Sequence, residues 1–167
     1  DILHDGFDCV IRTGALPEDG VIARSLGKLT MVNCASPHYL TRFGYPQSPD
    51  DLTSHAIVRY TPHLGVHPLG FEVASVNGVQ WFKSGGMLTV NSSENYLAAG
   101  IAGLGIIQIP RIAVREALRA GRLIEVLPGY RAEPLSLSLV YPQRRELSRR
   151  VNLFMQWLAG VMKEHLD

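Results

Sequence analysis

The chain has 167 residues, 46% hydrophobic and 19% charged, which is enough apolar matter for one domain or two small lobes and too much for a disordered segment. Sixteen Lys and Arg against 15 Asp and Glu leave a formal charge of +1. That balance excludes the dense basic surface needed to neutralise many phosphates, so direct nucleic-acid binding by this stretch is not expected.

No apolar run reaches the roughly 20 residues that a membrane span requires, and the start lacks the basic-then-apolar pattern of a signal peptide, so a cytoplasmic chain is expected. Asp1 to Gly6 has no initiator Met and reads like the middle of a domain, which implies further chain upstream. Cys9 and Cys34 lie far apart in apolar surroundings without metal-ligand spacing, as buried thiols in a reducing compartment do; a disulfide between them is the lesser alternative.

Phe7 to Arg12 is a β-branched and aromatic run that reads as a mostly buried strand, closed by the turn-rich 13–20. Two extended segments follow, 21–26 and 29–34, broken at Gly27. Ser36-Pro37 opens a helix, with Ser as the cap and Pro at the first helical position, and Gly44 ends it. Ser48-Pro49-Asp50-Asp51 repeats the device as a capping box on a short helix. Residues 56–60 read as a strand and 61–70 as a loop. Strands 71–76 and 79–84 then flank Asn77-Gly78, a pair suited to a type I′ turn. A strand at 87–90 feeds a helix at 92–102, and a strand at 104–109 ends at Pro110. A helix follows at 111–120, then a short strand at 122–127. Leu135, Leu137 and Leu139 alternate with Ser136 and Ser138, the mark of a strand with one dry and one polar face. Leu147, Val151, Phe154, Leu158 and Met162 recur at helical spacing in the last segment. The class is α/β.

Several of these stretches resemble, in order and at the expected intervals, the effector-binding domain of LysR-type transcriptional regulators. They are Asp5 to Gly14, the Ala35-Ser36-Pro37-His38-Tyr39-Leu40 helix entry, Pro49 to His55, Val90-Asn91-Ser92-Ser93-Glu94, Gly103-Leu104-Gly105-Ile106, Gly121-Arg122-Leu123, and Tyr141-Pro142 with the final helix. The resemblance implies a type 2 periplasmic-binding-protein-like fold: two α/β lobes joined by two crossover strands, with a small effector in the cleft. By analogy, 1–28 and 135–167 form the first lobe and 29–134 the second. That lobe's opening strand and helix, and the upstream winged helix-turn-helix, have no counterpart in this sequence. The resemblance further implies a homo-oligomer, a dimer or tetramer, that reaches DNA only through the helix-turn-helix. Neither a cofactor nor a membrane partner is expected.

Val90 to Glu94 is the most informative local feature. Asn91 can cap the helix with Glu94 at its third position, and the first turn presents backbone N–H groups at the positive dipole end, where an anion is favoured. Locally this reads as an ordinary cap, but the resemblance places the junction on the effector cleft and makes Asn91, Ser92 and Ser93 candidate contacts. Thr13 and Gly14, a hydroxyl and a close-approaching backbone at a strand's carboxyl end, suit a ligand crevice as well as a plain turn. Ser36 is a candidate whose hydroxyl serves the cap, the effector or both.

Other features carry less. The glycines of 100–105 run from helix to strand, the reverse of a dinucleotide fingerprint, and read as a helix C-terminal turn. His63 and His67 have metal spacing only on a helix that Pro62, Gly65 and Pro68 disfavour, so no metal is expected. No catalytic motif occurs, which speaks against an enzyme. Arg144, Arg145, Arg149 and Arg150 read as a solvated helix start, with a DNA contact as the sharper alternative. The sensing domain of a regulator for a small anionic effector is the leading reading; a transport-associated solute-binding protein of the same fold is the rival.

Overall fold

Where the apolar period is two the chain forms strands, and where it is near four it forms helices. The computed structural model describes residues 6–14, 20–61, 70–143, 148–163 and 166. In chain order these form β1 (Val10–Thr13), β2 (Val21–Leu29), β3 (Met31–Ala35), α1 (Pro37–Phe43), a 3-10 turn (Pro49–Ser54), β4 (Ala56–Tyr60), β5 (Phe71–Ser75), β6 (Gly78–Phe82) and β7 (Gly85–Val90). Then come α2 (Ser93–Ile101), β8 (Ile107–Pro110), α3 (Arg111–Arg119), β9 (Ile124–Glu125), β10 (Leu135–Pro142) and α4 (Arg149–Lys163). They fall into two compact units, Asp1–Thr30 with Pro134–Asp167, and Met31–Glu133.

The first unit is built on an antiparallel sheet in the order β1-β10-β2. Leu139 of β10 packs with Met155 and Leu158 of α4, the helical stripe closing over the dry face of the strand. Four expectations are corrected here. Among the described residues β1 pairs only with β10, so it is an edge strand and its Ile11 is half exposed, where a mostly buried strand was expected. Cys9 is half-buried, although Cys34 of the other unit is fully buried as expected, and both are free thiols. Gly27 does not break β2: it opposes Leu137 beside a register shift, so the chain absorbs one extra residue as a bulge and runs on to Leu29. Ser138 is also buried on the face expected to be polar, because β10 is the central strand. Arg149 and Arg150 are exposed at the start of α4, while Arg144 and Arg145 lie outside the described residues.

The second unit contains the sheet β8-β3-β9 and the parallel pair β4-β7. A parallel bridge between Ile57 and Ile106 joins them, with Val58 N–H donating to the Ile106 carbonyl at 3.0 Å and Ile106 N–H to that of Ala56 at 2.9 Å. β3 is antiparallel to both its neighbours. Successive strand residues point to opposite faces, and both faces are dry. Val58 and Ile107 pack with Tyr96, Ala99, Val114 and Ala117 of α2 and α3, whereas Ile57 and Ile106 pack with Tyr39, Leu40 and Leu52. Each fully buried side chain of this size adds about 1.5–3 kcal/mol.

Most boundaries of this unit match the sequence pattern. Ser36 caps α1 by accepting from Tyr39 N–H, and Gly44 ends it with φ of 79°. Asp51 accepts from the Gln47 and Ser48 N–H groups at 2.8 and 3.0 Å, the return half of the expected capping box. The hairpin is shifted by one residue from expectation. Ser75 pairs with Gly78, so Val76-Asn77 make the turn, and Asn77 does not adopt the positive φ that a type I′ turn needs. The Ser75 hydroxyl explains the shift: it accepts from Asn77 N–H and donates to the Gly78 carbonyl, closing the turn from its own side chain. The glycines of 100–105 do run from the end of α2 into β8, and Gly105 passes so close to β4 that a Cβ there would sit 2.6 Å from the Ala56 carbonyl oxygen.

Candidate functional site

In the second unit, the carboxyl ends of the parallel strands β4 and β7 meet side by side. Tyr60 pairs with Val90, and Thr61 N–H donates to the Val90 carbonyl at 2.9 Å. Asn91, Ser92 and Ser93 follow directly and lead into α2, so the structure brings these three candidates together at a strand-to-helix junction.

The residue that caps the helix is Ser92, not Asn91. Its hydroxyl accepts from Asn95 N–H at 3.4 Å and donates to Glu94 at 2.6 Å. Glu94 therefore stands at the second helical position and bonds to the cap side chain, where a capping box from the third position to the Asn91 backbone was expected. The helix starts one residue later because Asn91 forms a bend at the end of β7, which leaves Ser92 as the first residue with extended backbone ahead of Ser93. The Ser92 hydroxyl, the Glu94 backbone N–H and the Ser93 hydroxyl together hold the Glu94 carboxyl below its ordinary range. This first turn thus already stabilises a carboxylate, the one it carries.

Two further residues at this edge were not singled out from sequence. Thr61, which is buried, stands at the carboxyl end of β4, and Tyr60 before it stacks obliquely on Tyr96 of α2, ring centroids 5.7 Å apart. The Tyr96 hydroxyl accepts from Gln108 N–H at 2.9 Å, and burial pushes its pKa up to about 12. The sequence pattern puts Thr61 at the start of a loop, and the structure agrees, leaving it just past the end of β4. The signal that finds it is topological: once β4 and β7 are known to be parallel neighbours, the residues after both carboxyl ends become a pair.

Ser36 stands elsewhere. β3 runs against its neighbours, Cys34 facing Ile107 and Ala35 facing Ile124, so its carboxyl end and Ser36 lie beside the starts of β8 and β9. Asn91 to Ser93 lie at the far edge of the same sheet. Ser36 is also buried, its hydroxyl bonded to Tyr39 N–H at 3.2 Å, and a Cβ on Gly103 would come within 3.0 Å of its oxygen. In the first unit, Thr13 is exposed at the end of β1 opposite Leu137, and Gly14, with φ of 79°, donates to the Ser136 carbonyl at 3.0 Å.

Two concavities line other parts of the surface. One lies in the first unit beside Cys9, Arg150 and Phe154, and one in the second beside Tyr45, Glu125 and Tyr130; neither includes one of the candidate effector contacts expected from sequence. His63 and His67 lie outside the described residues, among which no group of His, Cys, Asp or Glu could hold a metal ion. No helix of the described residues is long and apolar enough to cross a membrane.

A family model described as the LysR substrate binding domain matches residues 1–163. Over all 167 residues the chain is 98% identical to YhjC, an HTH-type transcriptional regulator of Escherichia coli (strain K12), of which it covers 56%. It is 31% identical over 166 residues to the HTH-type transcriptional activator AaeR of the same organism, covering 98% of this chain and 52% of that protein. The chain therefore spans about half the length of these curated relatives. Among solved structures it resembles the regulatory domain of CrgA, a LysR-type transcriptional regulator from Neisseria meningitidis, with a TM-score of 0.81 at 24% identity, covering 95% of this chain and 77% of that one. The fold is accordingly the type 2 periplasmic-binding-protein-like α/β fold expected from the sequence, and relatives that are transcriptional regulators favour a regulator's effector-binding domain over a transport protein. The chain belongs to the LysR substrate-binding domain family.

Proposed function

We propose that this chain is the part of a cytoplasmic transcriptional regulator that senses a small anionic metabolite. Asn91, Ser92 and Ser93 of the second unit contact the effector, with Thr61 beside them, and Thr13 and Gly14 are the corresponding candidates of the first unit. The observation that carries this reading is the junction after β7, where the first turn of α2 opens at the carboxyl end of two parallel strands and already holds a carboxylate. Ser36 is not carried into the site, because the antiparallel course of β3 puts it beside the starts of β8 and β9, away from the carboxyl ends of β4 and β7.

The two compact units are taken as the two lobes of the sensor. An effector that binds one arrangement of the protein more tightly than another shifts the population toward it, and a homo-oligomeric regulator passes that shift to DNA through its helix-turn-helix. Effector binding at 100 times its dissociation constant stabilises a domain by about 2.7 kcal/mol, which thermal melting resolves. A panel of carboxylic and amino acids is expected to contain at least one compound that raises the Tm of the full-length regulator saturably, and Ser92→Ala is expected to weaken that response about tenfold. A panel that leaves Tm unmoved, or a response equal in Ser92→Ala, overturns the reading.

A further inference from the structure

Away from the junction after β7, the second unit holds a cation with too few partners. Arg59 of β4 extends over the start of β7, where its guanidinium lies flat on Gly86: a Cβ there would come within 2.6 Å of Cζ, 2.8 Å of Nε and 2.9 Å of Nη2. Gly86 is what makes that position open to Arg59. A guanidinium carries five N–H donors, and the acceptor recorded for this one is the Ser84 carbonyl, 3.0 Å from Nη2. Its Nε is buried with no hydrogen-bond partner, and so is the Ser84 hydroxyl oxygen. Arg59 forms no ion pair with any described residue; the carboxylate of Glu125 is instead engaged by Arg111 and Arg131. Buried polar atoms without partners are rare in folded proteins, and each calls for a specific explanation.

The surrounding sequence supplies one. Lys83-Ser84-Gly85-Gly86 puts an exposed cation, a hydroxyl and two side-chain-free residues in succession beside the Arg59 fork. Lys83, like Arg59, has no carboxylate partner among the described residues. Two positive charges, a hydroxyl donor and an open backbone are the chemistry that recognises a phosphoryl dianion, with the guanidinium giving paired N–H bonds and the lysine a point charge. We propose that Arg59, Lys83 and Ser84 form a binding site for a phosphoryl group, either inorganic phosphate or the end of a phosphomonoester. On binding, the Arg59 fork lifts off Gly86, so that its Nε edge, covered in the free protein, and the Ser84 hydroxyl both donate to the oxyanion and one ligand partners both orphaned atoms. It approaches from the exposed Lys83 side, and a change of the Ser84 rotamer brings the hydroxyl onto it. The site shares no residue with the effector contacts proposed above.

Thermal melting of the full-length regulator in sodium phosphate, glycerol phosphate, sulfate and acetate, all at one ionic strength with chloride as the balance, tests this. Phosphate or glycerol phosphate is expected to raise Tm saturably, and which of the two does so identifies the source of the phosphoryl group. Half-saturation is expected to move to at least about tenfold higher concentration in Arg59→Met and in Ser84→Ala. Should Arg59→Met fail to fold, Ser84→Ala and Lys83→Ala carry the test, since each removes one predicted contact from a part-exposed or exposed side chain. A response to acetate as strong as that to phosphate and equally weakened by Ser84→Ala and Lys83→Ala, a phosphate response unchanged in those two variants, or no saturable response to either phosphate ligand overturns the proposal. Because a carboxylate effector would act at the α2 junction, none of these outcomes depends on the effector reading.

Discussion

Asn33 is the buried polar residue that anchors the turn after β9. It is fully buried, and its side-chain N–H groups donate to the Leu127 and Tyr130 carbonyls while its oxygen accepts from Gln108. Gln108 in turn donates to the Glu72 carbonyl, so one network ties β3, β8, β5 and the turn after β9 together. The same contacts hold Leu127 at φ of 48°, a left-handed conformation that a leucine rarely adopts. Asn33→Leu leaves these buried groups unpaired and is expected to cost about 2–4 kcal/mol in urea unfolding. His55 is a second buried polar residue, its Nδ1 3.0 Å from the Tyr39 hydroxyl. Burial holds its pKa below the ordinary value, against a smaller upward pull from Asp51. The unfolded chain therefore takes up the proton first as pH falls, and stability drops from about pH 6.5 down to the depressed folded value, then levels. The urea midpoint of the parent should decline over that window while that of His55→Gln stays flatter; parallel profiles would rule this out.

At the scale of elements, the second unit's strands were legible as short continuous apolar runs, because both faces of its sheet are buried and apolar residues stand at both parities, while the period of two shows in Leu135, Leu137 and Leu139 of β10. Helix caps were legible too, since Ser36-Pro37 and Ser48 to Asp51 state their geometry in a few adjacent residues. What could not be read locally depends on partners distant in sequence. The Gly27 bulge is set by Leu137, the exposure of β1 by its place at a sheet edge, and the one-residue shift at the hairpin by whether Ser75 or Asn77 closes the turn. The candidate site shows the same division: the Ser92 junction announces itself, whereas Thr61 becomes a neighbour only through the parallel pairing of β4 with β7, and Ser36 is taken away from that junction by the antiparallel course of β3. Gly105 shows how tightly these elements approach. A methyl group there meets the Ala56 carbonyl that accepts from Ile106, so Gly105→Ala is expected to lower stability by more than about 2 kcal/mol in the same urea assay. Gly121→Ala, where a Cβ would meet nothing within 4 Å, is the comparison: its strain is limited to φ of 66° and its cost should be smaller.

For the molecule as a whole, each unit carries one free thiol, and their environments differ. Burial, with help from Glu125, pushes Cys34 up to about 12, while half-buried Cys9 is raised by burial and by Asp8. A thiol-specific reagent at neutral pH is expected to modify Cys9 in the native protein and Cys34 only as the second unit opens, because the thiolate is the reacting species. The labelling rate of Cys34 against urea then reports that unit's stability separately; equal rates for both thiols in native buffer would contradict the assignment. The second unit is a single continuous stretch, whereas β10, the middle strand of the first unit's sheet, comes from beyond it. On the ribosome this imposes an order. The 31–133 stretch can complete its core as it emerges, while β1 and β2 must wait for about a hundred residues of intervening synthesis before the strand that lies between them exists. A released chain truncated after residue 134 should therefore present a protease-resistant second unit beside β1 and β2 left unpaired, a state in which those strands are open to chaperones or to another copy.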